Sequence, residues 1–258
     1  MTKMRIRKQV KKMSEKEFAK DMAAKKDISE DITKNLQDFN FELYRTDHYV
    51  PWRVSRISKL VSILGGKEWF VGKRILELAC AYGHTGSILQ QMGATVTFAE
   101  GRREQYNEIK KKAGASPVII LDQDKPWELN QKFDLIIHWG VLYHLKNWER
   151  DLITTLKHSP LICMETEVVD LDDPYAQVES PENAGNADLS MYGQATFPSP
   201  ANIERVLTAN LAKFIRHDDV DLNAGYHHYD WESKNSGKFG EGQRRFWFIN
   251  SNTFSDNA

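Results

Sequence analysis

Cysteine is scarce in this 258-residue chain: Cys80 and Cys163 are its only thiols, each inside an apolar run, ILELACAY and LICMET. Two thiols so placed exclude a disulfide scaffold and read as reduced core residues of a reducing compartment. Long apolar runs are missing as well. No stretch approaches the ~18 residues of a membrane span, and the N-terminal MTKMRIRKQVKKM has the basic region of a secretory signal without its apolar stretch. The expectation is a cytoplasmic protein. Nor does one charge dominate: 35 Lys and Arg oppose 36 Asp and Glu, which excludes a binder of polyanions over its whole surface. Internal repeats and low-complexity tracts are also lacking.

What is present, 41% hydrophobic residues, suffices for a sizeable core in one domain with a small accessory segment. The charge is unevenly spread. Residues 1–26 carry ten Lys or Arg against three Asp or Glu, a net of +7, and the remainder carries -8. The arm RIRKQVKK at residues 5–12 can attract phosphates through counterion release, so RNA is a candidate partner there and nowhere else. Without interleaved aromatic residues it reads first as a solvated helix or tail. Ser14 followed by Glu17 is a helix-starting box. Over residues 47–64, Val50, Val54, Ile57, Leu60, Val61 and Leu64 recur at steps of three and four, one face of an amphipathic helix that Gly65-Gly66 ends. Residues 1–66 therefore read as a basic, helical N-terminal extension, and residues 67–258 as the main domain.

Within that domain short apolar strands alternate with helix-length segments. RILELAC (74–80), ATVTFA (94–99), PVIIL (117–121), FDLIIH (133–138) and LICME (161–165) are the strands, with helices over 85–92 and 103–112. Continuous apolar strands separated by helices predict an α/β fold, a doubly wound parallel sheet covered on both faces. Residues 168–200, rich in Asp, Pro, Asn, Gly and Ser, form a connection too long for a plain loop and are expected to act as a lid over an acceptor. Tyr175, Met191, Tyr192 and Phe197 are the apolar groups such a lid would use. A helix over 200–211 and a last strand at 244–249, read as an edge hairpin partner, complete the pattern.

Ligands of open α/β sheets bind at the carboxyl ends of the strands. The first such end is ELACAYGHTG (77–86), whose small residues at 79, 81, 83 and 86 permit close backbone approach and lead into a helix N-terminus. Glu100 closes the second strand about twenty residues on, where an acidic side chain can accept both hydroxyls of a ribose. The third strand ends in Asp122-Gln123, a carboxylate and an amide able to face an adenine amino group, or an Asx turn. A dinucleotide dehydrogenase is disfavoured because G-x-G-x-x-G is absent: Ala79, Ala81 and Gly83 occupy that region, with Gly86 three residues later.

Together with this turn and Glu100, the fourth strand and its continuation HWGVLYHL (138–145) resemble the class I S-adenosylmethionine-dependent methyltransferases, over residues 70–165 above all. The GVLYH loop, Glu165-Thr166-Glu167 and Phe197-Pro198-Ser199-Pro200 are similar to the tRNA wobble-uridine carboxymethyltransferase group. The resemblance implies a Rossmann-like, mostly parallel seven-stranded sheet with S-adenosylmethionine as cofactor. It implies that the backbone of Ala79, Ala81 and Gly83 lines the methionine end, that Glu100 holds the ribose, and that Asp122 and Gln123 flank the adenine. His138 would border the sulfonium pocket, and Glu77, Cys80, Tyr82, Gly101 and Trp139 would complete the cofactor shell. Ala79 and Ala81 depart from the family pattern, which has glycine there.

A sulfonium methyl is already activated, so catalysis is mainly alignment, with a base where the acceptor is a hydroxyl or a protonated amine. His144, Tyr143 and His84 are the candidates by residue type. The cluster Tyr226-His227-His228-Tyr229-Asp230-Trp231 reads as an aromatic wall or structural hairpin, since adjacent strand residues point to opposite faces and no metal ligand set forms. The expectation is a methyltransferase acting on a small molecule, because the chain beyond residue 26 is acidic. Its rivals are a tRNA-modifying methyl- or carboxymethyltransferase and a non-catalytic S-adenosylmethionine-binding module.

Overall fold

β-Branched and large apolar residues dominate the segments that became the central sheet, as burial on both faces demands. The computed structural model of the chain describes residues 29, 30, 33 and 49–251. The basic arm and the Ser14 box lie outside the described residues. Strands β1 (Arg74–Leu78), β2 (Thr95–Glu100), β3 (Val118–Ile120), β4 (Leu135–Trp139) and β5 (Leu161–Glu167) run parallel. A small antiparallel hairpin follows, β6 (Gln177–Pro181) and β7 (Gln194–Pro198). Antiparallel strands β8 (Lys213–His217) and β9 (Arg244–Asn250) complete a seven-stranded sheet of order β3-β2-β1-β4-β5-β9-β8. The chain reverses direction across the sheet between β1 and β4, which puts the crevice for a ligand at their carboxyl ends.

Two features differ from the sequence reading. Strand β9 is no edge partner: it fills the gap between β5 and β8, so β8, which sequence pattern did not reveal, forms the edge. Its pattern is obscured because Ile215 is exposed while Arg216 pairs with Glu204 and Asp218. Residues 168–200 are also more ordered in pattern than a loop, since the β6–β7 hairpin stands within them.

Side-chain alternation sorts the strands onto two cores. One face carries Ile75, Val96, Phe98, Leu135 and Ile137 against helices α1 (Tyr49–Ile63) and α2 (His84–Gln91). The other carries Leu76, Leu78, Ile136, Ile162 and Met164 against α4 (Trp148–Leu156) and α5 (Pro200–Ala209), while α3 (Arg103–Lys112) packs beside β2 and β3. Helix α5 starts where Ser199 Oγ accepts the Asn202 N–H at 3.0 Å, with Pro200 in the first turn. Helix α1 belongs to the body of the domain. Its Trp52, Ile57, Leu60 and Val61 are buried in the first core, so this end of the N-terminal extension forms part of the crevice wall.

Candidate active site

The loop after β1 turns sharply three times. Ala79 (φ 46°), Ala81 (φ 49°) and Gly83 (φ 72°) all occupy the left-handed region. For the two alanines that conformation costs roughly 1–2 kcal/mol each, the Cβ crowding that glycine avoids. Surrounding bonds hold the turn: the Cys80 N–H donates to Ala99 O at 3.0 Å and the Gly83 N–H to Cys80 O at 2.7 Å. Glu100 braces it from β2, with Oε2 accepting the Ala81 N–H at 2.9 Å and Oε1 the Arg102 N–H at 2.8 Å. Gly83 is small for packing reasons as well, since a Cβ there would come within 2.0 Å of Ile109 Cδ1.

Glu77 and Glu100 line the same cleft. Burial pushes the Glu77 carboxyl up to about 8, against the opposing pull of the Gly86 N–H and of Arg53. Its Oε2 accepts that Gly86 N–H at 2.9 Å. Burial likewise raises Glu100, opposed by the N–H groups of Arg102, Ala81 and Gly101. Two carboxyl groups penalised by desolvation at one cleft gain from a cationic ligand, which restores what burial removed.

Helix α1 supplies the opposite wall through Tyr49, Trp52, Arg53 and Arg56. The Arg56 guanidinium stands 3.6 Å from the Trp52 ring centre and 5.0 Å from that of Trp139. Its Nη1 pairs with Glu165 Oε2 at 2.9 Å, and Arg244 donates to Oε1 of the same carboxylate. Burial alone would raise Glu165; Arg244 and Arg56 reverse that and hold it below the usual carboxylate range. Tyr229 joins them, donating to Glu165 Oε1 at 3.1 Å and accepting from Trp52 Nε1 at 2.8 Å. The cluster that includes His227 and Tyr229 thus buttresses the wall, and the His227 ring stacks on Trp52 at 4.1 Å.

The tip of the β6–β7 hairpin covers the third side. Ala187, Asp188, Leu189, Met191 and Tyr192 line the cleft, and Arg102 fixes the tip by donating to Ala184 O at 3.0 Å and Leu189 O at 2.8 Å. Tyr192 donates to Asp122 Oδ2 at 2.5 Å, an oxygen that also pairs with Lys125 Nζ at 3.0 Å. At its other margin Glu182 Oε2 meets His144 Nδ1 at 2.9 Å and accepts the Ser190 N–H at 2.6 Å. Burial would raise Glu182; its contact with His144 and the Ser190 N–H outweigh that and lower it. The cavity so framed has a volume of about 220 Å³ and opens to solvent.

Residues 47–219 match a family model described as a methyltransferase domain. The chain belongs to this family. No curated protein matches it. Among solved structures, the N-terminal domain of EvdMO1, crystallised in the presence of SAH and D-fucose, is 18% identical with a TM-score of 0.60, over 88% of this chain and 96% of that one. Magnesium protoporphyrin IX methyltransferase (ChlM) from Synechocystis PCC 6803, with bound SAM, is 14% identical with a TM-score of 0.52, over 93% and 99%. Coclaurine N-methyltransferase, bound to N-methylheliamine and SAH, is 13% identical with a TM-score of 0.51, over 78% and 66%. At such identities the likeness is one of fold, the Rossmann-like class I fold. Family and fold make the protein an S-adenosylmethionine-dependent methyltransferase.

In this methyltransferase the cleft brings together Glu77, Ala79, Cys80, Ala81, Glu100 and Gly101 from the first two strand ends. Asp122, Gln123 and Trp139 line it from β3 and β4, and His84, Tyr143 and His144 from their flanks. Asp122 also closes an Asx turn, its Oδ1 accepting the Asp124 N–H at 3.1 Å. Three expected residues stand elsewhere. His138 is fully buried on the face of β4 opposite Ile137 and Trp139, bonded through Nε2 to Asp151 Oδ2 at 2.7 Å, because alternation along the strand turns it toward α4. Tyr82 points to the outer surface beside Glu104 and Lys111, and Gly83 lies beneath the loop against Ile109.

Of the three candidate bases, burial depresses His84 to about 3, with Arg53 and Lys112 adding to the effect. Burial raises Tyr143, which therefore keeps its proton near neutrality. Of the lid residues, Met191 and Tyr192 reach the cleft; Phe197 packs with Tyr143 and Phe239, and Tyr175 is exposed. Glu182 escaped the sequence reading, since it lies 38 residues from His144 in a stretch whose composition signals only a loop. Arg53 and Arg56 escaped it too, because a helix wheel marks the apolar face and not which polar positions border a crevice. Among the described residues no group of three or more His, Cys, Asp and Glu is arranged to hold a metal, and no helix is long and apolar enough to cross a membrane.

Proposed function

We propose that the protein methylates a small molecule bound between α1, the GVLYH loop and the hairpin tip. The observation that carries this reading is the aromatic lining: side chains of Tyr49, Trp52, Trp139 and Tyr143 and the tip residues Met191 and Tyr192 bound one cleft. Such a concave chamber, its lining shared between aromatic and polar side chains of both charge signs, suits a small ligand, whereas a polynucleotide needs an open basic groove. Bound S-adenosylmethionine supplies an electrophilic methyl group on a sulfonium. The residues fit it. Glu77 and Glu100 offer carboxylates to a cationic ligand with a ribose, the loop of residues 79–83 brings its backbone to the crevice, and Asp122 and Gln123 present polar groups at the end of β3.

A second reading, an RNA-modifying methyl- or carboxymethyltransferase, is favoured by the +7 charge of residues 1–26. One experiment separates the two. Protein and tritiated S-adenosylmethionine are incubated with the small-molecule and the RNA fractions of a cell extract, using the full chain and a chain lacking residues 1–26. Label entering small molecules equally with both chains is the expected result, read by mass spectrometry as a product heavier by one methylene. Label in RNA that depends on residues 1–26 and falls steeply with salt would overturn it, and a gain matching a carboxymethyl group would identify the other donor.

A further inference from the structure

We infer that the acceptor is a hydroxyl compound and that Glu182, carried in by the hairpin, positions His144 as the base that takes the hydroxyl proton. The inference rests on reading the cleft as a methyl-transfer site. An amine can give up its proton to water before it attacks and then needs no built base, and a carboxylate has already lost its proton. A hydroxyl must lose one as its bond forms, so a built base belongs to that acceptor class.

His144 is such a base by construction. Its Nδ1 faces Glu182 Oε2 at 2.9 Å, and a carboxylate can only accept. The proton therefore sits on Nδ1, and the lone pair on Nε2. Glu182 is fixed independently of the histidine: the Ser190 N–H donates to its carboxylate at 2.6 Å, and its own N–H donates to Gly193 O at 2.9 Å. The ring of His144 packs on Tyr143 at 3.9 Å, which sets its plane. Both members of the pair keep only 12% side-chain exposure. Neither His84, which burial makes too weak a proton acceptor at about 3, nor Tyr143, which holds its proton, can serve in its place.

The balance is simple. The acceptor oxygen bonds to the methyl carbon as the carbon–sulfur bond breaks and its electron pair stays on sulfur. The hydroxyl proton passes to Nε2 of His144, and the imidazolium formed faces the Glu182 carboxylate. The products are a methyl ether and an uncharged thioether. Because Glu182 arrives on the hairpin that Arg102 pins to the cofactor side, the base is complete only when the tip is seated.

Nitrogen NMR of histidine-labelled full-length protein tests the pairing without any acceptor, the His144 signals being identified by their loss in His144→Ala. Wild type should show the Nδ1–H tautomer, Glu182→Gln should retain it, and Glu182→Ala should shift toward Nε2–H. The chemistry is tested with phenol, benzyl alcohol, benzylamine and benzoate as probe acceptors. Transfer to the hydroxyl probes should exceed transfer to the others, and Glu182→Ala should lower its kcat about 10-fold or more at unchanged KM. SAH affinity within about twofold of wild type shows that the variants fold. An unchanged His144 tautomer in Glu182→Ala overturns the inference, as does transfer to benzylamine or benzoate as fast as to phenol. Failure of wild type to bind SAH would instead sink the underlying reading of the cleft.

Discussion

Glu100 reaches back from the end of β2 to accept the Ala81 N–H at 2.9 Å, and Ala81 stands at φ 49° to donate it. The strained alanine and the buried carboxylate hold each other, so the turn keeps its shape where glycine would be the easier residue. Replacing Ala81 or Ala79 by Gly removes a strain of roughly 1–2 kcal/mol and restores some unfolded-state entropy, roughly 0.5–1 kcal/mol in the other direction. Each variant should gain about 0.5–1 kcal/mol, raising Tm by about 1–4 °C. Scanning calorimetry checks this; a lower Tm in both variants contradicts the strain.

Glu77 makes ligand binding proton-linked. Its folded carboxyl is raised to about 8, so at neutral pH it holds a proton that an adjoining cation displaces. Binding of SAH, which carries an ammonium group, should release up to one proton near pH 7, and affinity should rise with pH up to about 8. Titration calorimetry in two buffers of different ionisation enthalpy reads the proton count. Equal apparent enthalpies in wild type would show that Glu77 does not meet the ligand's charge.

His84 sets an acid limit on stability. Its folded value, lowered to about 3, lies below the unfolded one, so the unfolded chain binds the extra proton between about 3 and 6.5. Stability is then fully present above 6.5 and is lost as pH falls, by up to about 1.4 kcal/mol per pH unit. In His84→Gln this slope should be shallower between pH 6.5 and 5, measured by urea unfolding. An identical slope in variant and wild type contradicts the burial argument.

Most of the sheet was legible because parallel strands buried on both faces read as unbroken apolar runs, and RILEL, TVTFAE and LIIHW needed nothing more. Glu100 was legible for the same reason, as the polar residue that ends such a run. What stayed hidden depends on side chains meeting across the fold. The alternation of β4 turned His138 away from the cleft and Trp139 toward it, a choice that a strand buried on both faces does not announce. Glu182 met His144 only through the hairpin of β6 and β7, whose exposed, alternating residues Gln177, Glu179 and Pro181 resemble loop composition. Strand β8 escaped because Ile215 faces solvent at the sheet edge.

Arg102 is the clasp of the hairpin tip, since its guanidinium holds the carbonyls of Ala184 and Leu189. Arg102→Ala should speed proteolytic cleavage within residues 182–193 several-fold, and SAH should slow cleavage in wild type more than in the variant. Mass mapping of timed digests reads both. Equal cleavage rates in all four conditions would contradict a seated tip.

Titration calorimetry shows whether the crevice between β1 and β4 holds S-adenosylmethionine against Glu100. Purified protein should bind both S-adenosylmethionine and SAH with one site per chain. Glu100→Ala should weaken both by about 1.5–3 kcal/mol, the loss of hydrogen bonds to a charged acceptor. Absence of binding by either ligand at millimolar concentration, or Glu100→Ala binding them as tightly as wild type, would exclude a cofactor site against Glu100.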